Sequence, residues 1–167
     1  MWVALFSNSG SELGSLCRKL ETKPDIILCD KIRGEWDSNI ANITQLQEHK
    51  DIVNLLASYP EDTLITLHGY LRLIPHYAIK ENMYNVHPGD IIKYPQLKGI
   101  HPQAKALELN LPSTGVVIHK LTSEVDSGEI VSFASYNMKE NETKLSLINN
   151  LRDISINLWY EFLRGKV

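Results

Sequence analysis

The chain reads as an α/β protein whose mostly parallel, twisted sheet carries helices on both faces and ends in a β-hairpin followed by a long helix. Three observations predict this. The runs at residues 2–6, 26–29 and 64–67 are apolar almost throughout, as strands buried between two helical layers must be. Segments with helical apolar spacing fall between them, first Leu13, Leu16 and Leu20, then Ile52, Val53, Leu55 and Leu56, which is the alternation of βα units. Near the C-terminus, Leu145, Ile148, Leu151, Ile154, Leu158 and Phe162 trace one stripe of a long amphipathic helix over 143–163.

Each element follows in order. The first strand, at 2–6, runs into Ser7, Asn8, Ser9, Gly10 and Ser11, a turn of small residues that opens a helix. A second strand covers 26–29. Between Asp30 and Glu48 the pattern is weak, with one short edge strand expected at 40–43. A helix and the strand at 64–67 follow. The strand at 83–86 stops at His87, Pro88 and Gly89, because proline cannot donate to a ladder and glycine breaks the pattern. A short helix at 102–109 has Pro102 in its first turn. Strands at 115–121 and 129–136, joined by 122–128, are expected to form an antiparallel hairpin ahead of the last helix.

At 167 residues, the chain has the size of one domain, expected to span 1–167. Its 43% hydrophobic and 22% charged composition is that of a globular protein, which argues against disorder and fibrous roles. The net charge is only −3 and the basic residues are scattered, so no basic stripe is available to a nucleic acid. The apolar run at the start is too short for a signal peptide, and no later stretch approaches the roughly 20 residues of a spanning helix; a cytoplasmic location is expected, with no membrane partner. Cys17 and Cys29 are the only cysteines and fall in a helix and a strand, the setting of reduced structural thiols. His68, His76 and His101 have no partners at ligand spacing, so no metal is expected.

Two segments carry candidate chemistry. Strand alternation points Asn85 and His87 to one side at the end of a strand, where ligands of open parallel sheets collect, and an amide with an imidazole suits polarising a carbonyl and moving a proton. By itself such a pair also occurs in hydrogen-bonded turns. The loop Thr122, Ser123, Glu124, Val125, Asp126, Ser127, Gly128 lies between two apolar runs and can hold Asp126 beside another strand end, where a carboxylate would orient His87 and favour its protonated form.

Taken in order, Asn85-Val86-His87-Pro88, Lys93-Tyr94-Pro95, Gly115-Val116-Val117-Ile118-His119 and Val125-Asp126-Ser127-Gly128 resemble the signature of the folate-dependent formyltransferases, above all the glycinamide ribonucleotide type. The likeness covers roughly 2–165. It implies the Rossmann-like formyltransferase fold, 10-formyltetrahydrofolate as co-substrate without a metal, and a small amine acceptor, phosphorylated in that branch. By resemblance, Asn85 would bind the formyl oxygen, His87 would exchange protons with the attacking amine, and Asp126 would tune His87 and position a water. Leu71, Arg72, Leu73 and Ile74, with Thr122, Ser123, Glu124, Val125, Asp126 and Asn85, would hold the folate. Gly10, Ser11 and Glu12 resemble the family's phosphate-binding turn at a helix N-terminus, and Asp153 falls near its acidic residue of the final helix; these would face the acceptor. His119 matches a family histidine, with a structural role equally open.

Departures from the pattern bear on the acceptor. Glu12 stands where a neutral amide is usual, Gly89 replaces a serine, and the stretch Gln96 to Gln103 is longer than in purine-pathway members and closer to amino-sugar N-formyltransferases. The shortened region between Asp30 and Glu48 shows no counterpart of an arginine that supports the folate tail, and either a monomer or a homodimer is compatible. Alternatives are therefore N-formylation of a nucleotide-linked amino sugar or other modified nucleotide, hydrolysis of the formyl donor, and a non-catalytic folate- or nucleotide-binding module.

Overall fold

In the computed structural model, which describes residues 1–167, seven strands form one sheet in the order β3-β2-β1-β4-β5-β6-β7. The strands are β1 (Trp2–Asn8), β2 (Ile26–Ile32), β3 (Thr44–Leu46), β4 (Leu64–His68), β5 (Met83–His87), β6 (Ser113–Lys120) and β7 (Ile130–Asn137); the helices are α1 (Ser11–Leu20), α2 (His49–Ser58), α3 (Pro102–Glu108) and α4 (Lys144–Leu163). From β3 to β5 every pairing is parallel, while β6 runs antiparallel to β5 and β7 antiparallel to β6. The expected α/β architecture, with its terminal hairpin and helix, is what forms.

Alternation along β1 builds the two layers. Trp2, Ala4 and Phe6 enter one core with Leu13, Leu16, Leu151 and Trp159 from α1 and α4, whereas Val3 and Leu5 enter a second with Ile52, Val53 and Leu56 from α2. Both faces of the central strands are dry, which is why their sequence is apolar without a gap. At the start of α4 Thr143 and Ser146 form a reciprocal capping box, each side chain accepting from the other's backbone N–H at 3.1 and 3.0 Å. No helix is long and apolar enough to cross a membrane. Both cysteines are buried and free, and burial pushes the Cys17 thiol up to about 11.

One expected element is displaced. The stretch assigned to an edge strand at 40–43 contains a 3₁₀ turn at Ala41–Ile43, and the strand follows at Thr44–Leu46. The cause is packing: Ile40 is fully buried, with its Cδ1 beside the Gly10 turn, so the apolar residues here anchor a loop onto the α1 layer rather than supply a ladder.

Candidate active site

Asn85 and His87 project from the carboxyl end of β5, Asn85 paired in register with Leu67 of β4 and His119 of β6. Strand β5 ends at His87 because Pro88 follows. The chain then folds back over the imidazole, and Gly89 permits this: a Cβ there would lie 3.1 Å from His87 Nε2 and 3.2 Å from Pro102 Cβ. His87 is 5% exposed, and its Nε2 donates to the Leu97 carbonyl at 2.8 Å. On the other side of the ring, Nδ1 stands 3.2 Å from Asp126 Oδ2.

Asp126 reaches this position from the loop between β6 and β7, with its backbone in the left-handed region at φ 48°. The same Oδ2 accepts the Gly99 N–H at 2.8 Å, and Oδ1 lies 3.4 Å from His119 Nε2. His119 donates from Nδ1 to the Lys120 carbonyl at 2.8 Å, so its neutral form offers Nε2 as an acceptor to the Asn85 amide, 3.3 Å away. That arrangement holds one Nδ2–H of Asn85 and leaves the other for a ligand. Asn85 and His87 of β5 thus meet Asp126 from the loop between β6 and β7, with His119 between Asn85 and Asp126.

The electrostatics divide the pair. Burial raises the Asp126 carboxyl, but the neighbouring imidazoles of His119 and His87, which attract the ionised carboxylate when they carry charge, and the Gly99 N–H outweigh it and hold it below the ordinary value. For His87 burial dominates, pushing the pKa below its ordinary value of 6.5; Asp126 and the Leu97 carbonyl oppose this without reversing it. Asp126 thus favours the protonated form of His87, as expected, but burial outweighs it. The Leu97 carbonyl orients the neutral ring through Nε2–H, and dehydration costs the imidazolium more than the nearby carboxylate returns. Near neutrality the ring keeps its proton on Nε2, and the vacant Nδ1 faces Asp126.

Beside this cluster are apolar side chains without cover. Leu71 and Leu73 are 62% and 66% exposed and Val125 is 45% exposed, while Ile74 is buried and anchors the loop. The backbone N–H and C=O groups of Arg72, Leu73 and Ile74 make no hydrogen bond within the protein. Thr122, Ser123 and Glu124 are exposed, with only a local bond from the Thr122 hydroxyl to the Glu124 carbonyl at 3.0 Å. Arg72 points its Nε at Asp30 Oδ2, 3.3 Å away. No group of three or more His, Cys, Asp or Glu residues has metal-holding geometry.

The turn opening α1 differs from a vacant anion site. Gly10 is buried at φ 67° and no side chain caps the helix. Glu12 folds inward, accepting the Ser155 hydroxyl at 2.9 Å and lying 3.4 Å from His68 Nδ1. Behind it, Trp2 Nε1 donates to Thr66 Oγ1 at 2.9 Å, and that hydroxyl lies 2.9 Å from His68 Nε2. A hydroxyl proton directed to Nε2 places the histidine proton on Nδ1, facing Glu12, and satisfies the chain throughout. Asp153 lies exposed on α4 with no bond to this turn; Ser155, two residues on, makes the contact. Sequence reasoning passed over Ser155 because it looks like an ordinary core position, weighed His68 only as a metal ligand, and passed over Leu97 and Gly99 because they act through backbone atoms.

Comparison with known proteins adds to the geometry. A family model described as "Formyl transferase" matches residues 3–163. The chain is 31% identical to methionyl-tRNA formyltransferase of Thermotoga neapolitana over 117 residues, 68% of this chain and 36% of that protein. It is also 31% identical to phosphoribosylglycinamide formyltransferase of Dictyostelium discoideum over 90 residues, 48% of this chain and 44% of that protein. The matched stretches thus span less than half the length of these curated relatives. Among solved structures, phosphoribosylglycinamide formyltransferase from Streptococcus pneumoniae superposes with a TM-score of 0.82 at 18% identity, covering 98% of this chain and 97% of that one. Glycinamide ribonucleotide transformylase 1 from Symbiobacterium toebii gives 0.81 at 22%, covering 98% and 85%. With the fold, the motif order and the family match in agreement, the chain belongs to the formyl transferase family.

Proposed function

We propose that the chain transfers a formyl group from 10-formyltetrahydrofolate to a primary amine, with glycinamide ribonucleotide the first acceptor to test. One observation carries the reading: Asn85, His87 and Asp126 converge at the carboxyl edge of the sheet, with the amide oriented by His119. Nucleophilic attack on the formyl carbon places negative charge on oxygen and positive charge on nitrogen. The free Nδ2–H of Asn85 answers the first, and a base the second. Because His87 Nε2 is bound to Leu97, the proton reaches Nδ1 from the Asp126 side, directly or through a water that the carboxylate holds. The imidazolium then formed has an acceptor at each nitrogen, and the proton passes on to N10 of the folate as its bond to the formyl carbon breaks, releasing tetrahydrofolate and the formylated amine. No covalent intermediate with the enzyme is required.

The donor fits what the edge offers. A pterin needs fixed donors and acceptors in a mostly apolar slot, and unpaired backbone groups at 72–74 flanked by exposed Leu71, Leu73 and Val125 supply both. A second reading concerns the acceptor alone. Glu12 puts a carboxylate in the first turn of α1, and a phosphate there would meet it, which favours an amine anchored without phosphate at that end, such as a nucleotide-linked amino sugar.

The test is release of deformylated folate from 10-formyltetrahydrofolate with glycinamide ribonucleotide, with a nucleotide-linked amino sugar, or with no amine. Release that depends on the first acceptor is expected. Release only with the amino sugar selects the second reading, and release without any amine identifies a hydrolase. A protein that binds the donor but turns over none of these is a binding module.

A further inference from the structure

We propose that Asp30 is a positioning residue for the loop that receives the formyl donor, holding it through Ser7 and Arg72; this rests on the formyl-transfer reading above. Asp30 stands at the carboxyl end of β2, where its side chain is 3% exposed. It takes no part in the cluster around His87. A carboxylate taken out of water at such a place is unfavourable unless its oxygens are bonded. Each oxygen here holds a different piece of chain: Oδ1 accepts the Ser7 hydroxyl from the end of β1, and Oδ2 faces Arg72 Nε at 3.3 Å.

Ser7 passes the constraint on. With its own proton given to Asp30, the Ser7 oxygen accepts the Leu71 N–H at 3.2 Å. The orientation is forced, since an ionised carboxylate can only accept and a backbone N–H can only donate. One carboxylate therefore ties two consecutive loop residues, Leu71 by backbone and Arg72 by side chain, to the ends of two strands. The neighbouring Tyr70 is fixed separately, its hydroxyl 2.7 Å from His49 Nδ1. A loop fastened this way keeps Leu71 and Leu73 in the open and the 72–74 backbone unpaired, a conformation that an untethered loop would leave by collapsing onto the sheet. Arg72 meets Asp30 through Nε alone, so the contact shapes the loop while the rest of the guanidinium stays exposed.

The experiment compares wild type with Asp30→Ala, Asp30→Asn and Arg72→Ala in hydrogen exchange at the Leu71 amide and in steady-state kinetics with 10-formyltetrahydrofolate. For Asp30→Ala we expect faster exchange at Leu71 and a donor KM raised about tenfold, with kcat and the amine KM within about threefold. Asp30→Asn still accepts from Ser7 and should recover most of the donor KM. Arg72→Ala, on the surface, should raise it less than Asp30→Ala. Should Asp30→Ala fail to fold, Arg72→Ala decides, and an unchanged donor KM there overturns the proposal. Unaltered Leu71 exchange in a folded Asp30→Ala, or faster exchange with an unchanged donor KM, overturns it as well. A wild-type protein that does not bind the donor fails the formyl-transfer reading itself and takes this proposal with it, whereas tight wild-type binding shared by all variants removes only the role of Asp30.

Discussion

Asp126 shows how a single residue acquires its chemistry from position. Its φ of 48° is a conformation that aspartate tolerates better than most side chains do, and it turns the carboxylate inward to Gly99 N–H and two histidines. The consequence for His87 has a definite sign. A base whose pKa is lowered by burial is neutral above its ordinary 6.5 and gains a proton only on further acidification, so kcat/KM should hold near neutrality and fall on an acid limb centred below 6.5. Replacing Asp126 by Asn removes the influence that raises the His87 pKa. The acid limb of the residual activity should then move to lower pH; a shift to higher pH would contradict the assignment. That Asn85, His87 and Asp126 lie together was legible in the sequence, because strand alternation joins Asn85 to His87 and the resemblance in motif order adds Asp126. The protonation state of His87 was not, since it depends on burial by the segment 88–101, which no local pattern announces.

Elements deliver these side chains, and glycine at one point makes delivery feasible. A Cβ on Gly128 would lie 1.8 Å from the Lys120 carbonyl oxygen, so the loop carrying Asp126 can close against β6 only without a side chain there. Gly128→Ala should lower Tm by roughly 5–10 °C and displace Asp126 with loss of activity, as read by thermal unfolding and the formyl-release assay. A Tm within about a degree of wild type would show that the loop is free to move aside. Strands with continuous apolar runs were readable because such runs report burial. The helix at 144–163 was readable in extent, but its buried face runs through Leu147, Leu151, Ser155, Leu158, Trp159 and Leu163 and leaves Leu145 69% exposed. The edge at 40–46 was not readable: Ile40 and Ile43 are apolar because they pack on α1, and a one-dimensional pattern cannot distinguish packing onto a helix from pairing in a sheet. The Glu12 contact with Ser155 was hidden for a similar reason, as it joins α1 to α4 across most of the chain.

For the molecule as a whole, the doubly covered sheet fixes the site on its carboxyl edge and makes the site a stability element. Both His87 and Asp126 have folded pKa values below their unfolded ones, so the stability they contribute is complete above the unfolded value of each and is lost as pH falls through the folded one. Unfolding free energy should therefore decline on acidification from about pH 6.5, where the unfolded His87 begins to bind a proton that the folded one refuses. His87→Asn should flatten the first part of that decline in denaturant titrations across pH, and an unchanged slope would show that another group is responsible. The most direct test of the chemistry is a single-turnover measurement of formyl transfer in Asn85→Ala and Asp126→Ala, with donor affinity measured in the same preparations. We expect folded proteins that still bind 10-formyltetrahydrofolate yet, at saturating donor, transfer formyl about 10²–10³ times more slowly; transfer at a near-normal rate in either variant would contradict the proposed mechanism.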